Sequence, residues 1–569
     1  MPYCFDKFIG LGNKQDNYAL GYAQVAENID LSCGRLDPWR TPLLVDSVPD
    51  NAESIFLKNG KFRYATSRGV SVVHSLTGME FISDPCDCIY FRKDWCEQDK
   101  RALGLPRPPE PIITPLSPLP TNDDCWKPEL ITAKITFESR CGHYKYESQP
   151  GPVSNQIKCS IDDEISIEIP AFDPGKYIID TVCVYLSYTT WDVSQGLHGY
   201  PALGRNLQGR APEVVDTNFE TNVEIDCFKV AEITFDPQGN SLVITKDKCF
   251  GKTITTTGWR APDPGMCLAG ESDTGSLVAY DKKCLYFSVR NKPHAWRLAD
   301  LMYFGSDIQF ACHTNLTTYV FTKEGDLFIV QDDNDCTVKG SCRSVRHIQG
   351  IPKPCVDKFN ANKAVLCGRW GVLYPSDCGI VQLTPDGGMS VVLNTDKGKF
   401  AWCNPISLTR YKDQVFINGF EYPMVMTVPL MFSRADQQGS LSTLSVCVKC
   451  WYESCGDLYA LDFDGKIYKW DAGDECMRMR YKSTVVRIPG VTLNTMSLEY
   501  TEEYTGCGTV TLFKNNKPNQ TKLISDCNPV KLPRISNAKT FCWEYNGEAS
   551  VNRVCFGGSL QDISVAAAA

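Results

Sequence analysis

The sequence is short of the features that most readily announce a chemistry. Positive charge is outnumbered: 58 Lys and Arg against 67 Asp and Glu leave a net charge of −9. That balance argues against a protein that grips nucleic acid by neutralising phosphates, while leaving passage of nucleic acid past the surface open. Histidine is scarce. None of His74, His143, His198, His294, His313 and His347 stands in a nucleophile elbow or a papain-like context. No Gly-rich segment ends in Gly-Lys-Ser or Gly-Lys-Thr after a strand pattern, so kinase, ATPase and dinucleotide-binding readings fall away. Long apolar runs are missing too. The most apolar windows, such as 422–432, contain prolines and fall well below the roughly 18–20 residues that span a bilayer. The N-terminus carries no basic region followed by an apolar run, so an exported chain is not expected. Helical periodicity is rare throughout.

What is there is apolar and strand-forming. Hydrophobic residues at 43% and aromatics at 11% are ample for packed cores, which excludes wholesale disorder. At 569 residues the chain is too long for one ordinary core, and two to four domains are expected. The 28 cysteines are scattered rather than packed into a short disulfide framework, so most are expected to be reduced, buried thiols.

Strand patterns recur with one grammar between 276 and 393. Runs at 277–280, 284–289, 307–313, 317–321, 326–331, 371–374, 380–383 and 390–393 are separated by Gly, Asp and Pro turns. Such repeated meanders predict propeller blades. An earlier meander is expected at 54–57, 62–66 and 70–74, with Asn59-Gly60 as a hairpin turn. The proline-rich stretch 106–128 reads as an extended linker. Alternating runs at 131–138, 157–160, 165–169 and 181–187 then predict an immunoglobulin- or fibronectin-like sandwich. The expected organisation is therefore all-β, in five stretches. An N-terminal segment with the first blade or blades occupies 1–105, the linker 106–128, and the inserted β-sandwich with an irregular tail 129–260. The main β-propeller body covers 261–481, and a C-terminal all-β module 482–569.

Candidate chemistry is thin. Cys447, Cys450 and Cys455 have zinc-like spacing but lack a fourth ligand nearby. The acidic run Asp332-Asp333-Asn334-Asp335 lacks the ligand spacing and closing Glu of a calcium loop. Lys292-Pro293-His294-Ala295-Trp296 reads as a loop between strands, with His294 in a structural role. No catalytic residue, metal or cofactor is expected. The turn Pro38-Trp39-Arg40 presents what reads as an exposed Trp, and these three residues are the candidate interface.

Several stretches together resemble a known family. Gln24-Val25-Ala26-Glu27-Asn28-Ile29-Asp30-Leu31, followed by Gly34-Arg35-Leu36-Asp37-Pro38-Trp39, is similar to the opening of structural proteins from tailed bacteriophages. Tyr144-Lys145-Tyr146-Glu147-Ser148 before Gly151-Pro152-Val153-Ser154 resembles their inserted domain. So does Val182-Cys183-Val184-Tyr185-Leu186-Ser187, with Cys183 where the family carries arginine. The 292–296 motif and the runs 317–330 and 371–384 follow in the family's order. The chain most resembles the tail hub or nozzle subunit, the tail-tubular-protein-B type, of short-tailed phages. That resemblance implies a homohexameric ring below the portal and adaptor, around the channel for genome ejection. It implies as partners further copies of the chain, the tail adaptor protein, tail fibres or spikes, and the host outer surface. Genomic DNA would pass without specific binding, and the protein would reside in the virion tail after assembly in the host cytoplasm. A receptor- or glycan-binding tail protein using residues such as Trp191, and a polysaccharide hydrolase on a propeller, are the alternative readings.

Overall fold

In the computed structural model the described residues run from 3 to 567, apart from 12–21, 59, 68, 76–78, 93–99, 117–128, 143, 160–163, 190–226, 246–251, 315–316, 333–342, 369, 395–405, 428–439, 489–491, 502–507, 526 and 536–537. The architecture is all-β, a β-propeller with an inserted β-sandwich and a C-terminal all-β module. Among the described residues, helix is confined to Ala361–Ala364 and Leu560–Ala567. Two compact units emerge: Met1–Val70 with Gly325–Leu327 and His347–Ala569, and Ser71–Glu324 with Phe328–Arg346.

The second unit carries four-stranded antiparallel blades and the sandwich. One blade runs from Ser71–His74 to Arg101–Ala102, and another from Cys267–Glu271 to Lys292–Tyr303. A further meander runs from Ile308–Thr314 to Arg343–Ile348. The sandwich sits between the first two blades in sequence. Ile112–Pro115, Glu164–Ile169 and Asn240–Thr245 form one sheet; the other is built on Glu129–Cys141 paired with Thr181–Thr189. Strict alternation explains the layering. Ile165, Ile167 and Ile169 point inward from one sheet, and Ile131, Ala133, Ile135 and Phe137 meet them from the other. Each of these Ile and Phe side chains, once buried, stabilises the fold by roughly 1.5–3 kcal/mol. Ile112–Pro115 falls inside the proline-rich stretch expected to be linker; its pairing with Glu164–Ile169 makes it part of the sandwich.

The first unit contains the meanders Leu366–Gly368 to Met389–Asn394 and Ser407–Tyr411 to Leu441–Thr443. A third, Cys450–Ser454, Asp457–Leu461 and Lys466–Lys469, is completed from far away by Leu43–Ser47, with Tyr468 opposite Leu44. Closing a blade with an N-terminal strand joins distant parts of the chain through backbone hydrogen bonds. Gly465 permits this closure. It sits at φ +78°, and a Cβ there would stand 2.1 Å from the Val48 carbonyl oxygen.

The C-terminal module stacks two sheets over one core. Tyr3–Phe5, Val551–Gly557, Leu493–Tyr500 and Val530–Ile535 make one sheet. Tyr22–Glu27, Met479–Ser483, Thr540–Gly547, Gly508–Lys514 and Lys517–Ile524 belong to the other. Phe5, Phe8, Tyr481, Trp543 and Phe556 fill the space between them, largely in edge-to-face contacts.

Candidate functional site

The segment that carries the opening resemblance, residues 24–40, is built as a clip within the first unit. After Tyr22–Glu27 the chain turns at Asn28, whose φ of +58° is a left-handed conformation that Asn tolerates better than most residues. Its side chain is fully engaged. Nδ2 donates to Ser445 Oγ at 2.7 Å and to the Arg478 carbonyl at 3.1 Å, while Oδ1 accepts from the Ser445 amide at 2.8 Å. Two residues on, Asp30 Oδ1 accepts from Gln414 Nε2 at 2.6 Å and from the Ser32 amide at 2.9 Å. Leu36 then exchanges backbone hydrogen bonds with Val551. The patterned polar residues here hold one end of the chain to strands more than 380 positions away.

Trp39 corrects an expectation. It is 2% exposed, not a surface anchor, and its ring meets Phe416 at 5.7 Å and Trp470 at 5.8 Å inside a core that also holds Trp451 and Leu458. Proline before it and polar neighbours around it suggest a turn, yet the turn tucks the indole inward. Of the candidate interface, Pro38 is half-buried and Arg40 exposed. The Arg40 amide donates to Asp471 Oδ1 at 2.9 Å, and burial raises the Asp471 carboxyl above its ordinary value despite that bond.

His294 is not in a loop. Lys292-Pro293-His294-Ala295-Trp296 opens the strand Lys292–Tyr303, whose Trp296 exchanges backbone hydrogen bonds with Arg260. The imidazole is buried among aromatic rings, with Tyr146 and Trp259 each 5.5 Å away, and the Tyr144 hydroxyl and Nδ1 share a hydrogen bond of 2.7 Å. Lys292 Nζ lies 4.1 Å above the Trp259 ring. Burial first, and the Lys292 charge second, push His294 down to about 3, so it is neutral at ordinary pH. Enclosed this way, it fastens the sandwich residue Tyr144 to the blade strand rather than meeting a solute.

A charged cluster that sequence inspection does not reveal lies on the sandwich. Glu138, Cys183 and Glu232 bring ligand-type atoms within 4.8 Å of one another. The carboxylates are already compensated. Glu138 accepts from Arg140 Nε at 3.0 Å and pairs with Lys145; Glu232 pairs with Lys229 and approaches Arg140 and Lys145 at 3.7 Å. The Lys229 hydrogen bond holds Glu232 below its ordinary value, and burial pushes the Cys183 thiol up to about 11. A divalent cation would have to displace three cationic side chains and deprotonate that thiol, so the donor set fits an ion-pair network better than a metal centre. The cross-strand register explains the gathering, since Thr136 faces Cys183 and Cys183 faces Glu232.

The remaining expectations divide. Cys450 is buried with Tyr459 and Leu461, whereas Cys447 and Cys455 are exposed, so the zinc-like spacing places one thiol in a core and two outside it. Residues 333–335 of the acidic run, and Trp191, lie outside the described residues.

No family model and no curated protein matches the chain. Among solved structures, it is similar to BBS1N in complex with ARL6DN at 10% identity, covering 55% of this chain and 89% of that one with a TM-score of 0.25. BamB from Moraxella catarrhalis aligns at 11% identity over 76% of this chain and 99% of that one, TM-score 0.24. The Cps50 (Swd1) β-propeller domain of Myceliophteria thermophila aligns at 11% identity over 46% and 88%, TM-score 0.23.

Proposed function

We propose that this chain is a structural subunit of a short-tailed phage tail, a hub or nozzle protein that assembles as a ring of six below the portal and adaptor. The observation that carries the reading is the clip at 24–40. The residues on which the resemblance rests are used there to lock a propeller blade and the C-terminal module, through Asn28 and Leu36, and none of them is left poised for chemistry. The order of parts supports it further: a blade, an inserted sandwich, then more blades, as the resemblance implies. A net charge of −9 suits a conduit for DNA, because negative walls repel phosphate where a basic stripe would retain it. Ring closure would come from heterologous contacts between different faces of neighbouring copies.

Mass photometry and negative-stain imaging of the full chain, alone and with the tail adaptor protein, test this reading. A six-fold annulus is the expected result. A protein that stays monomeric in both conditions, or one that releases reducing sugars from capsular polysaccharide, overturns it.

A further inference from the structure

We propose that Cys4 and Cys555 form an oxidisable dithiol that closes to a disulfide on meeting a small-molecule disulfide, tying the first strand of the chain to the last. Tyr3–Phe5 pairs antiparallel with Val551–Gly557, and the register sets Cys4 directly opposite Cys555. The two sulfurs are in contact at 2.8 Å. Facing residues of an antiparallel pair have Cα atoms about 4.5–5.5 Å apart, inside the span that a disulfide bridges without backbone movement. The partner strands are also held in place. Phe5, next to Cys4, packs against Trp543 at 5.4 Å and Phe556 at 6.2 Å.

Access is unequal between the two thiols, which sets the order of events. Cys4 is half-buried and Cys555 buried. A surface cavity of about 370 Å³, lined among others by Glu499, Cys527, Arg553 and Cys555, brings solvent to the same sheet. Burial, reinforced by Cys4, pushes the Cys555 thiol up to about 12, which suits the residue that reacts second and within the protein. In the first step the Cys4 thiolate attacks one sulfur of the reagent, its S–S bond breaks, and one thiolate leaves. Cys555 then gives up its proton to solvent base and attacks Cys4 Sγ, expelling the second thiolate. One reagent disulfide becomes two thiols, and the two cysteines lose two electrons between them.

The experiment uses the full chain, reduced and desalted, incubated in graded mixtures of oxidised and reduced glutathione, quenched by alkylation and mapped as non-reduced peptides. The expected result is a Cys4–Cys555 cross-linked peptide that saturates before any other cysteine pair, with loss of two alkylatable thiols. Cys4→Ser removes that peptide. The proposal is overturned if Cys4 stops at a glutathione mixed disulfide, or if Cys555 pairs with Cys527 instead. The wild-type map decides even if the variant fails to fold.

Discussion

Replacing Trp39 separates a core residue from an interface residue. The indole is 2% exposed, and its neighbours Phe416, Trp451 and Trp470 are themselves buried aromatics that cannot collapse into the space it leaves. Burying a ring of this size removes roughly 150–250 Å² from water, worth about 4–6 kcal/mol as an upper bound at 25 cal/mol per Å². Measured truncations of buried Trp fall near 3–5 kcal/mol, and Trp39→Ala is expected in that range. Trp39→Phe provides the control. Among the described residues Nε1 of Trp39 has no hydrogen-bond partner, so the smaller ring forfeits packing but no hydrogen bond, and about 1–2 kcal/mol is expected. The assay is urea unfolding of the full chain, following tryptophan fluorescence, with the transition that moves between variants assigned to the first unit. A loss below about 1 kcal/mol for Trp39→Ala, or weakened ring assembly at unchanged stability, would refute the placement of this side chain in the core.

Three further outcomes follow from the geometry. His294 is held neutral down to about pH 3 in the fold, while its ordinary value is 6.5. The unfolded chain therefore binds the extra proton between those values, and stability falls as pH drops below 6.5, by about 2 kcal/mol at pH 5. His294→Asn, which keeps a polar partner for Tyr144, should flatten that slope in denaturant titrations at pH 8, 6.5 and 5; an unchanged slope would remove His294 as its source. Asn28→Gly retains the left-handed turn but loses the side-chain bonds to Ser445 and Arg478, so about 1–3 kcal/mol is expected, and Asn28→Leu should cost about 1 kcal/mol more. Equal stabilities for the two variants would show that the backbone at 28 relaxes. Gly465→Ala forces a Cβ onto the Val48 carbonyl at a positive φ, and a loss of at least about 2 kcal/mol is expected. Hydrogen exchange should quicken first in residues 43–47, and protection unchanged there would argue against Gly465 as the condition for closure.

Local strand content was legible because each strand announces itself over a few residues. The runs 277–280 and 284–289 coincide with observed strands, and 165–169 and 181–187 lie within them, since β-branched and aromatic residues recur between turn residues at those places. What alternation cannot report is the partner. Leu43–Ser47 looks like any short apolar run, and only the fold reveals that it completes a blade with Lys466–Lys469. Trp39 misleads for a related reason: Pro38 and Arg40 describe a turn correctly, but whether the Trp between them points in or out depends on Phe416 and Trp470, far along the chain. Residues 292–296 read as a loop between strands, yet they open the strand Lys292–Tyr303, where a proline near the beginning is tolerated. The Glu138, Cys183 and Glu232 cluster had no spacing signal at all, because three strands supply it through register. The closing helix Leu560–Ala567 was absorbed into an all-β expectation, its eight residues being too few for a clear 3.6-residue period.

The same asymmetry bears on how function can be read from this chain. In an enzyme, the residues that stand out in sequence tend to reappear in the structure as a converging, partly strained and solvent-reachable set. Here they reappear dispersed and satisfied. Asn28 is bonded to Ser445 and Arg478, Asp30 to Gln414, and His294 to Tyr144, each joining two elements that are distant in sequence. Side chains spent on joining elements impose geometry on the chain, and under the proposed reading the specificity of such a protein resides in the shape and charge of surfaces made by several strands at once. Substituting one surface residue should then shift assembly only slightly, whereas weakening a clip such as Asn28 or a closure such as Gly465 should shift it more, because the strands that compose the surface share one register.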